Sequence, residues 1–262
     1  MIILENVSKK FGTGVFGLSD VTFSIDKGEF AFLVGPTGSG KTTIFRMLIR
    51  EMTPSQGNIT INNWNIVKLP GNKVPELRKR IGVVFQDLKL LPDRTIFENT
   101  SLPLELSGVK IKDAKKRVEE VLQMVGITEH ANKFPIQLSG GERQRAAIAR
   151  ALILSPEILL ADEPTGDLDD VTAWEIVNLL KNINESGGTT IIMATHNSEI
   201  IKKLNKRTIE LNKGKIVNDK AGHKPKAEET KAEEKPEHHA AHHENNDEKK
   251  ITDDFEEALK QK

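Results

Sequence analysis

The sequence predicts an α/β fold built on a mostly parallel, helix-covered sheet, and three observations predict it. Short apolar runs of buried-strand type (residues 30–34, 83–85, 158–161 and 191–194) alternate with stretches of helical spacing. The first run enters a glycine-rich loop that leaves as a helix. The other three end on polar residues, namely Gln86, the pair Asp162 and Glu163, and His196. Open parallel sheets bind ligands at the carboxyl ends of their strands, so these tips are expected on one working edge.

In chain order, residues 2–30 read as antiparallel β. Residues 21–25 (VTFSI) alternate, and Gly12, Gly14 and Gly17 mark turns. Residues 35–42, GPTGSGKT, then fit G-x-x-x-x-G-K-[ST] in the strand, loop and helix context that the motif requires. Glycines let backbone N–H groups turn inward around phosphates, and the helix N-terminus adds partial positive charge. Gly35, Pro36, Thr37, Gly38, Ser39, Gly40 and the following Thr43 are therefore the expected cradle. Lys41 is expected to reach the β- and γ-phosphates of a nucleotide, and Thr42 to offer its hydroxyl to Mg²⁺. With glycine at about 7% of residues, a chance match in a chain this long is roughly one in a hundred.

Gln86 follows the run 83–85, where a neutral amide can touch both Mg²⁺ and a water; alone it is weak evidence. From about residue 87 to 137 the strand signal stops and a helical insert is expected. Within it Ala114, Val118, Val121, Leu122 and Val125 form one apolar stripe, read as core. Ser139, Gly140, Gly141 and Glu142 then fit S-x-x-E, a helix capping box, and the helix continues through Ala146, Ala147, Ile148, Ala151 and Leu152. A plain cap does not need two glycines after its serine. Ser139 and Gly141 are accordingly read as a second anion site, most simply used on the ATP of another subunit, since one phosphate loop holds one γ-phosphate. That reading makes the protein a homodimer.

Residues 158–163 form a buried strand ending in two acids. Coupled to a phosphate loop, Asp162 is expected to hold Mg²⁺ through its water shell and Glu163 to polarise the attacking water. His196 ends the third such strand and is expected to hydrogen-bond the γ-phosphate. Glu163, His196 and Gln86 are thus the candidate catalytic residues; Thr42, Gln86 and Asp162 are the candidate metal contacts.

The order of these motifs resembles that of ABC-type ATPases, over roughly residues 1–218. The resemblance implies a RecA-like P-loop core as the first domain (1–218), with ATP and Mg²⁺ as ligands. It implies an adenine stack on Phe11, where that family often has Tyr, and a dimer-interface loop at residues 164–169. More narrowly, residues 74–87, 90–95, 134–139 and 193–197 are similar to the cell-division (FtsE) branch of that family. That branch implies an integral membrane partner of the FtsX type, control of cell-wall hydrolysis, and a peripheral place on the cytoplasmic face of the plasma membrane. Near relatives are ATPases of lipoprotein-release and efflux transporters, an alternative with the same motor and a different partner.

Composition narrows the remaining classes. Lys plus Arg and Asp plus Glu balance at 38 each in 262 residues, so no global basic charge argues for nucleic acid. There is no Cys, hence no disulfide framework and no thiol site. No signal-peptide pattern opens the chain, and no run approaches a membrane helix in length. Residues 219–262 are rich in Lys, Glu, Ala, His and Pro, with little to bury, and are expected to be a disordered second segment. It holds five of the seven histidines, among them His238, His239, His242 and His243, read as a solvated tract rather than a metal site. Ile251, Phe255 and Leu259 at i, i+4 and i+8 make a stripe that a partner can accept if it is helical.

Overall fold

The computed structural model describes residues 1–221 apart from Thr13 and Val15. The histidine tract, the terminal apolar stripe and nearly all of the expected tail lie outside the described residues.

Two sheets organise the chain. β1 (Ile2–Lys10), β2 (Phe16–Ile25), β4 (Gln56–Ile61) and β5 (Trp64–Asn65) form a four-stranded antiparallel sheet in the order β2-β1-β4-β5. Ile2 stands opposite both Ile25 and Ile61. The second sheet contains β3 (Phe30–Val34), β6 (Ile81–Val84), β7 (Ile158–Asp162), β8 (Thr190–Ala194), β9 (Arg207–Asn212) and β10 (Lys215–Lys220). Its order is β10-β9-β3-β8-β7-β6, parallel except for the antiparallel edge strand β10.

The apolar runs divide by alternation between two cores. Phe30, Phe32, Leu159, Ala161, Ile191 and Met193 face one; Ala31, Leu33, Ile158, Leu160, Ile192 and Ala194 face the other. Strands buried on both faces read as continuous hydrophobic runs, which is why these stretches stand out in the sequence. The first core packs α3 (Ile96–Leu106), α4 (Ile111–Met124), α5 (Gly140–Leu152) and α6 (Asp170–Gly187). The second packs α1 (Lys41–Leu48), α2 (Val74–Lys79) and the antiparallel sheet. α7 (Ser198–Leu204) adds Ile200 to the first core. The five residues of the α4 stripe are buried there, each at most 1% exposed.

Two boundaries differ from the sequence reading. The antiparallel part does not end near residue 30, because β4 returns to pair on β1 and β5 pairs on β4. The boundary drawn at 218 falls inside β10. There the Lys213–Gly214 turn, with φ of 47° and 76°, suits a tight hairpin. An ion pair between Arg207 and Asp219 at 2.7 Å fixes the polar edge strand through Lys220. Among the described residues no helix is long and apolar enough to cross a membrane.

Candidate active site

The phosphate loop connects β3 to α1, and its shape depends on backbone packing. Gly35 (φ 143°) lies so close to β9 that an added Cβ would meet the Leu211 carbonyl oxygen at 2.1 Å. Gly40 (φ 114°) caps α1, and a Cβ there would meet Leu18 at 2.5 Å. Gly214, in the β9–β10 turn, donates its N–H to the Ser39 carbonyl oxygen at 3.0 Å, while its own carbonyl accepts from Ser19 at 2.8 Å. A trans peptide points its C=O and N–H in opposite directions. Anchoring the Ser39 carbonyl on the hairpin therefore turns the Gly40 N–H to the opposite side. The Ser39 hydroxyl is buried without a hydrogen-bond partner, an orphan that a phosphate oxygen satisfies. The Lys41 ammonium is buried and donates to the carbonyl oxygens of Gly35 at 2.7 Å and Pro36 at 3.3 Å.

The strand tips converge on this loop. Thr42 donates its hydroxyl to Asp162 at 3.0 Å. Burial pushes the Asp162 carboxyl above its ordinary pKa, the Thr42 hydrogen bond opposes this, and the neighbouring Glu163 carboxylate adds to the rise. Glu163 follows β7 in left-handed backbone (φ 48°), its N–H donating to Ala194 O at 3.0 Å. Its carboxylate lies 2.9 Å from Nδ1 of His196, so the tips of β7 and β8 are joined side chain to side chain. A cavity of about 470 Å³ gathers Thr37 to Thr43, Phe11, Gln86, Asp162, Glu163 and His196. Gly35 and Pro36 contribute through the carbonyls that hold Lys41.

Among the described residues no cluster of three or more His, Cys, Asp or Glu is arranged as a metal cage. One carboxylate beside one hydroxyl is instead a hard-oxygen pair suited to Mg²⁺, which keeps several waters and takes phosphate oxygens as further ligands. The residues present therefore fit MgATP, with Thr42 and Asp162 on the metal side.

Ser139 and Gly141 are not in this cavity. Ser139 caps α5: its hydroxyl accepts from the Glu142 N–H, while the Glu142 carboxylate accepts from the Ser139 N–H at 2.7 Å and hydroxyl at 2.8 Å. These bonds, led by the backbone one, hold the Glu142 pKa below its ordinary value; His130, 2.9 Å away, adds to the effect. Gly141 also has a reason inside the chain, since a Cβ there would lie 2.5 Å from Thr172 of α6. The sequence reading gave both glycines to anion binding; close packing of α5 on α6 accounts for Gly141 independently.

Several contributors had another role or none in the sequence reading, Gly166 and Asp167 being part of the loop 164–169 read as a dimer interface. Phe16, Gly17, Gly166 and Asp167 line the same cavity. A Cβ on Gly17 would strike the Phe11 ring at 2.5 Å, so a bare backbone is what seats that ring. The signal available was an aromatic beside a glycine, Phe16–Gly17; the sequence reading put a turn at Gly17, which instead lies in β2.

A phosphate loop, a hydroxyl–carboxylate pair, a Glu–His bridge and a separately capped Ser-Gly-Gly helix define an ATPase of the ABC class. The ABC transporter family model matches residues 18–166, and the chain belongs to that family. Over 221 residues the chain is 47% identical to the cell division ATP-binding protein FtsE of Streptococcus pneumoniae, covering 84% of this chain and 96% of that one. Identity to the Bacillus subtilis protein of the same name is 45%, with the same coverage. Methionine import ATP-binding protein MetN 2 of Bacillus cereus is 41% identical over 222 residues, covering 84% of this chain and 66% of its own length. Among solved structures, the dimeric post-hydrolysis state of the ATP-binding cassette MJ0796 bound to ADP and Pi superposes with a TM-score of 0.77. Its identity is 36%, over 84% of this chain and 98% of that one.

Proposed function

We propose that two copies of this chain close head to tail around two MgATP, hydrolyse them, and so drive an integral membrane partner of the FtsX type in the control of cell-wall hydrolysis during division. The observation that carries the hydrolytic reading is the Glu163–His196 bridge at 2.9 Å, in one cavity with Lys41, Thr42 and Asp162. In this reading Lys41 exchanges its two carbonyl contacts for phosphate oxygens, and Phe11 stacks on the adenine. Thr42 and Asp162 would hold Mg²⁺ and Gln86 would touch it; when bound, the ion would supply charge neutralisation of the phosphates. Glu163 accepts the proton of the attacking water. His196, oriented by Glu163, hydrogen-bonds the γ-phosphate. Ser139 and Gly141 reach the ATP of the second copy, consistent with their place outside the copy's own cavity.

The names of the relatives support the division branch, and the likeness spans 96% of the pneumococcal protein. Identity of 41% to a methionine importer supports the second reading, a transport ATPase with a different membrane partner. For either partner, a groove of about 490 Å³ between α2 and β6 on one side and α3 and α5 on the other suits a short amphipathic helix. Val83, Phe85, Leu102, Pro103 and Leu154 give it an apolar floor, and Arg78 and Lys79 a basic rim. Attachment through such a helix puts the ATPase on the cytoplasmic face of the plasma membrane.

The test is Glu163→Gln, which keeps size and polarity and removes the proton acceptor. MgATP affinity should persist while turnover falls by about 100-fold or more, and gel filtration with ATP should show a dimer. Turnover at the parent rate would give the role to another residue.

A further inference from the structure

The turn that follows Gln86 is built against the preferences of its own residues. Leu88 and Lys89 stand at φ of 57° and 51°, a region where residues with side chains are uncommon and persist only when the surroundings hold them. Local bonds contribute: the Leu88 N–H donates to Phe85 O at 3.0 Å, the Lys89 N–H to Asp87 O at 2.6 Å, and Lys89 Nζ pairs with the Asp87 carboxylate. From outside the turn, Leu88 packs against the first core, and the hydrogen bonds come from Arg150 of α5. Its Nη1 donates to Lys89 O at 2.5 Å and its Nη2 to Leu88 O at 2.5 Å. Helical backbone of either hand aligns successive carbonyls, so two consecutive left-handed residues present two acceptors side by side. A guanidinium fork matches that pair with two parallel donors.

The position of Arg150 gives the contact a consequence. It lies about three helical turns from Ser139 on the same helix. The end of that helix is fixed on β6, since a Cβ on Gly82 would lie 2.4 Å from Ala151 O. β6 is the strand that leads into Gln86. Arg150 and Lys89 also line the groove beside Leu102 and Pro103. One side chain thus joins the helix that starts at Ser139, the turn that starts at Gln86, and the wall of the groove.

We propose that Arg150 is a positioning residue for ATP hydrolysis: its fork fixes the left-handed turn at Leu88 and Lys89 and thereby sets where Gln86 stands in the nucleotide cavity. The proposal rests on the reading that Gln86 contacts the water and metal of bound MgATP. It assigns Arg150 an effect on turnover and none on nucleotide affinity, which belongs to the phosphate loop.

The experiment uses the full chain and four variants: Gln86→Ala, Arg150→Lys, Lys89→Gly, and Arg150→Lys combined with Lys89→Gly. Lysine keeps the charge and loses the planar fork. Arg150→Lys should lower kcat by about tenfold and leave the equilibrium affinity for MgATP within roughly twofold. Glycine adopts positive φ without penalty, so Lys89→Gly should recover a large part of the lost kcat in the double variant. Hydrogen exchange should rise in Arg150→Lys at residues 87–90 and stay unchanged along α5. If Arg150→Lys does not fold, Arg150→Gln takes its place with the same expectations. A parent-like kcat in the Arg150 variant overturns the proposal, as does a fall in affinity that parallels kcat, or no recovery with Lys89→Gly. If Gln86→Ala itself turns over at the parent rate, the Gln86 reading fails and takes this proposal with it. If Gln86→Ala is slow and Arg150→Lys is not, this proposal alone fails.

Discussion

Asp162 occupies a place that disfavours the charge it works with. It is 8% exposed at the end of β7, burial raises its pKa, and Thr42 supplies its one side-chain hydrogen bond. An acid whose folded pKa lies above its unfolded value costs stability once pH exceeds the unfolded pKa; the cost vanishes as pH falls below both. At neutral pH the metal-free protein carries that cost, and a bound cation offsets it. Asp162→Asn should therefore raise the thermal midpoint of the metal-free protein while reducing the further rise that MgATP gives the parent and removing nearly all turnover. A lowered midpoint without nucleotide would mean that the carboxylate stabilises the fold. This follows the usual conflict between stability and a site held ready for its ligand.

At the scale of elements, the α5 start is held by a network that acid dissolves. Glu142 is held below its ordinary pKa first by the Ser139 N–H, then by the Ser139 hydroxyl and by His130. Glu98, capping α3, is lowered in the same way by Thr95, and Asp169, capping α6, chiefly by Thr172. A carboxylate with a depressed folded pKa contributes stability above its unfolded value, and that contribution is lost as pH falls through the folded one. Urea midpoints should fall as pH goes from about 5 to about 3, and Glu142→Gln should make the fall shallower. An unchanged slope in that variant would remove Glu142 from the acid response. The cap of α5 was read from S-x-x-E, which places both partners within four residues; T-x-x-E at Thr95 and Glu98 caps α3 in the same way and was passed over. β4 was not, since residues 56–61 (QGNITI) carry only two apolar side chains, Ile59 and Ile61, and the strand exists because it pairs with β1, some fifty residues upstream.

For the molecule as a whole, legibility follows sequence distance and the kind of group involved. The phosphate loop and the tips at Gln86, Glu163 and His196 were readable because consecutive residues or strand ends carry them. Gly214 on Ser39, Gly17 under Phe11 and Arg150 on Leu88 were not readable, because they act on backbone or across long separations that side-chain patterns do not register. The groove is of the same kind, assembled from α2, β6, α3 and α5. It adjoins a second cavity of about 760 Å³ that reaches Gln86, Asp162 and Thr42 and shares Ile49, Glu51, Val83, Phe85 and Lys89 with it. A helix seated in the groove therefore touches residues that also line this second cavity, and the second cavity in turn shares Thr42, Gln86, Asp162 and Asp167 with the nucleotide cavity. That gives the partner a short contiguous route to the reacting centre, and by reciprocity gives ATP a route to the partner. Leu102 is the residue to change: it lies on α3 and lines the groove, and it does not line the nucleotide cavity. A carboxylate there removes an apolar contact and sets a charge against the apolar face of a docked helix, which disfavours docking even beside the basic residues of the groove. Leu102→Glu should lose capture of the membrane partner in detergent and the stimulation of turnover by that partner. The basal ATPase of the soluble protein should persist, because every contact to MgATP lies elsewhere. Capture at the parent level would place docking on another face. Loss of basal turnover together with capture would show that α3 supports the site itself rather than the partner.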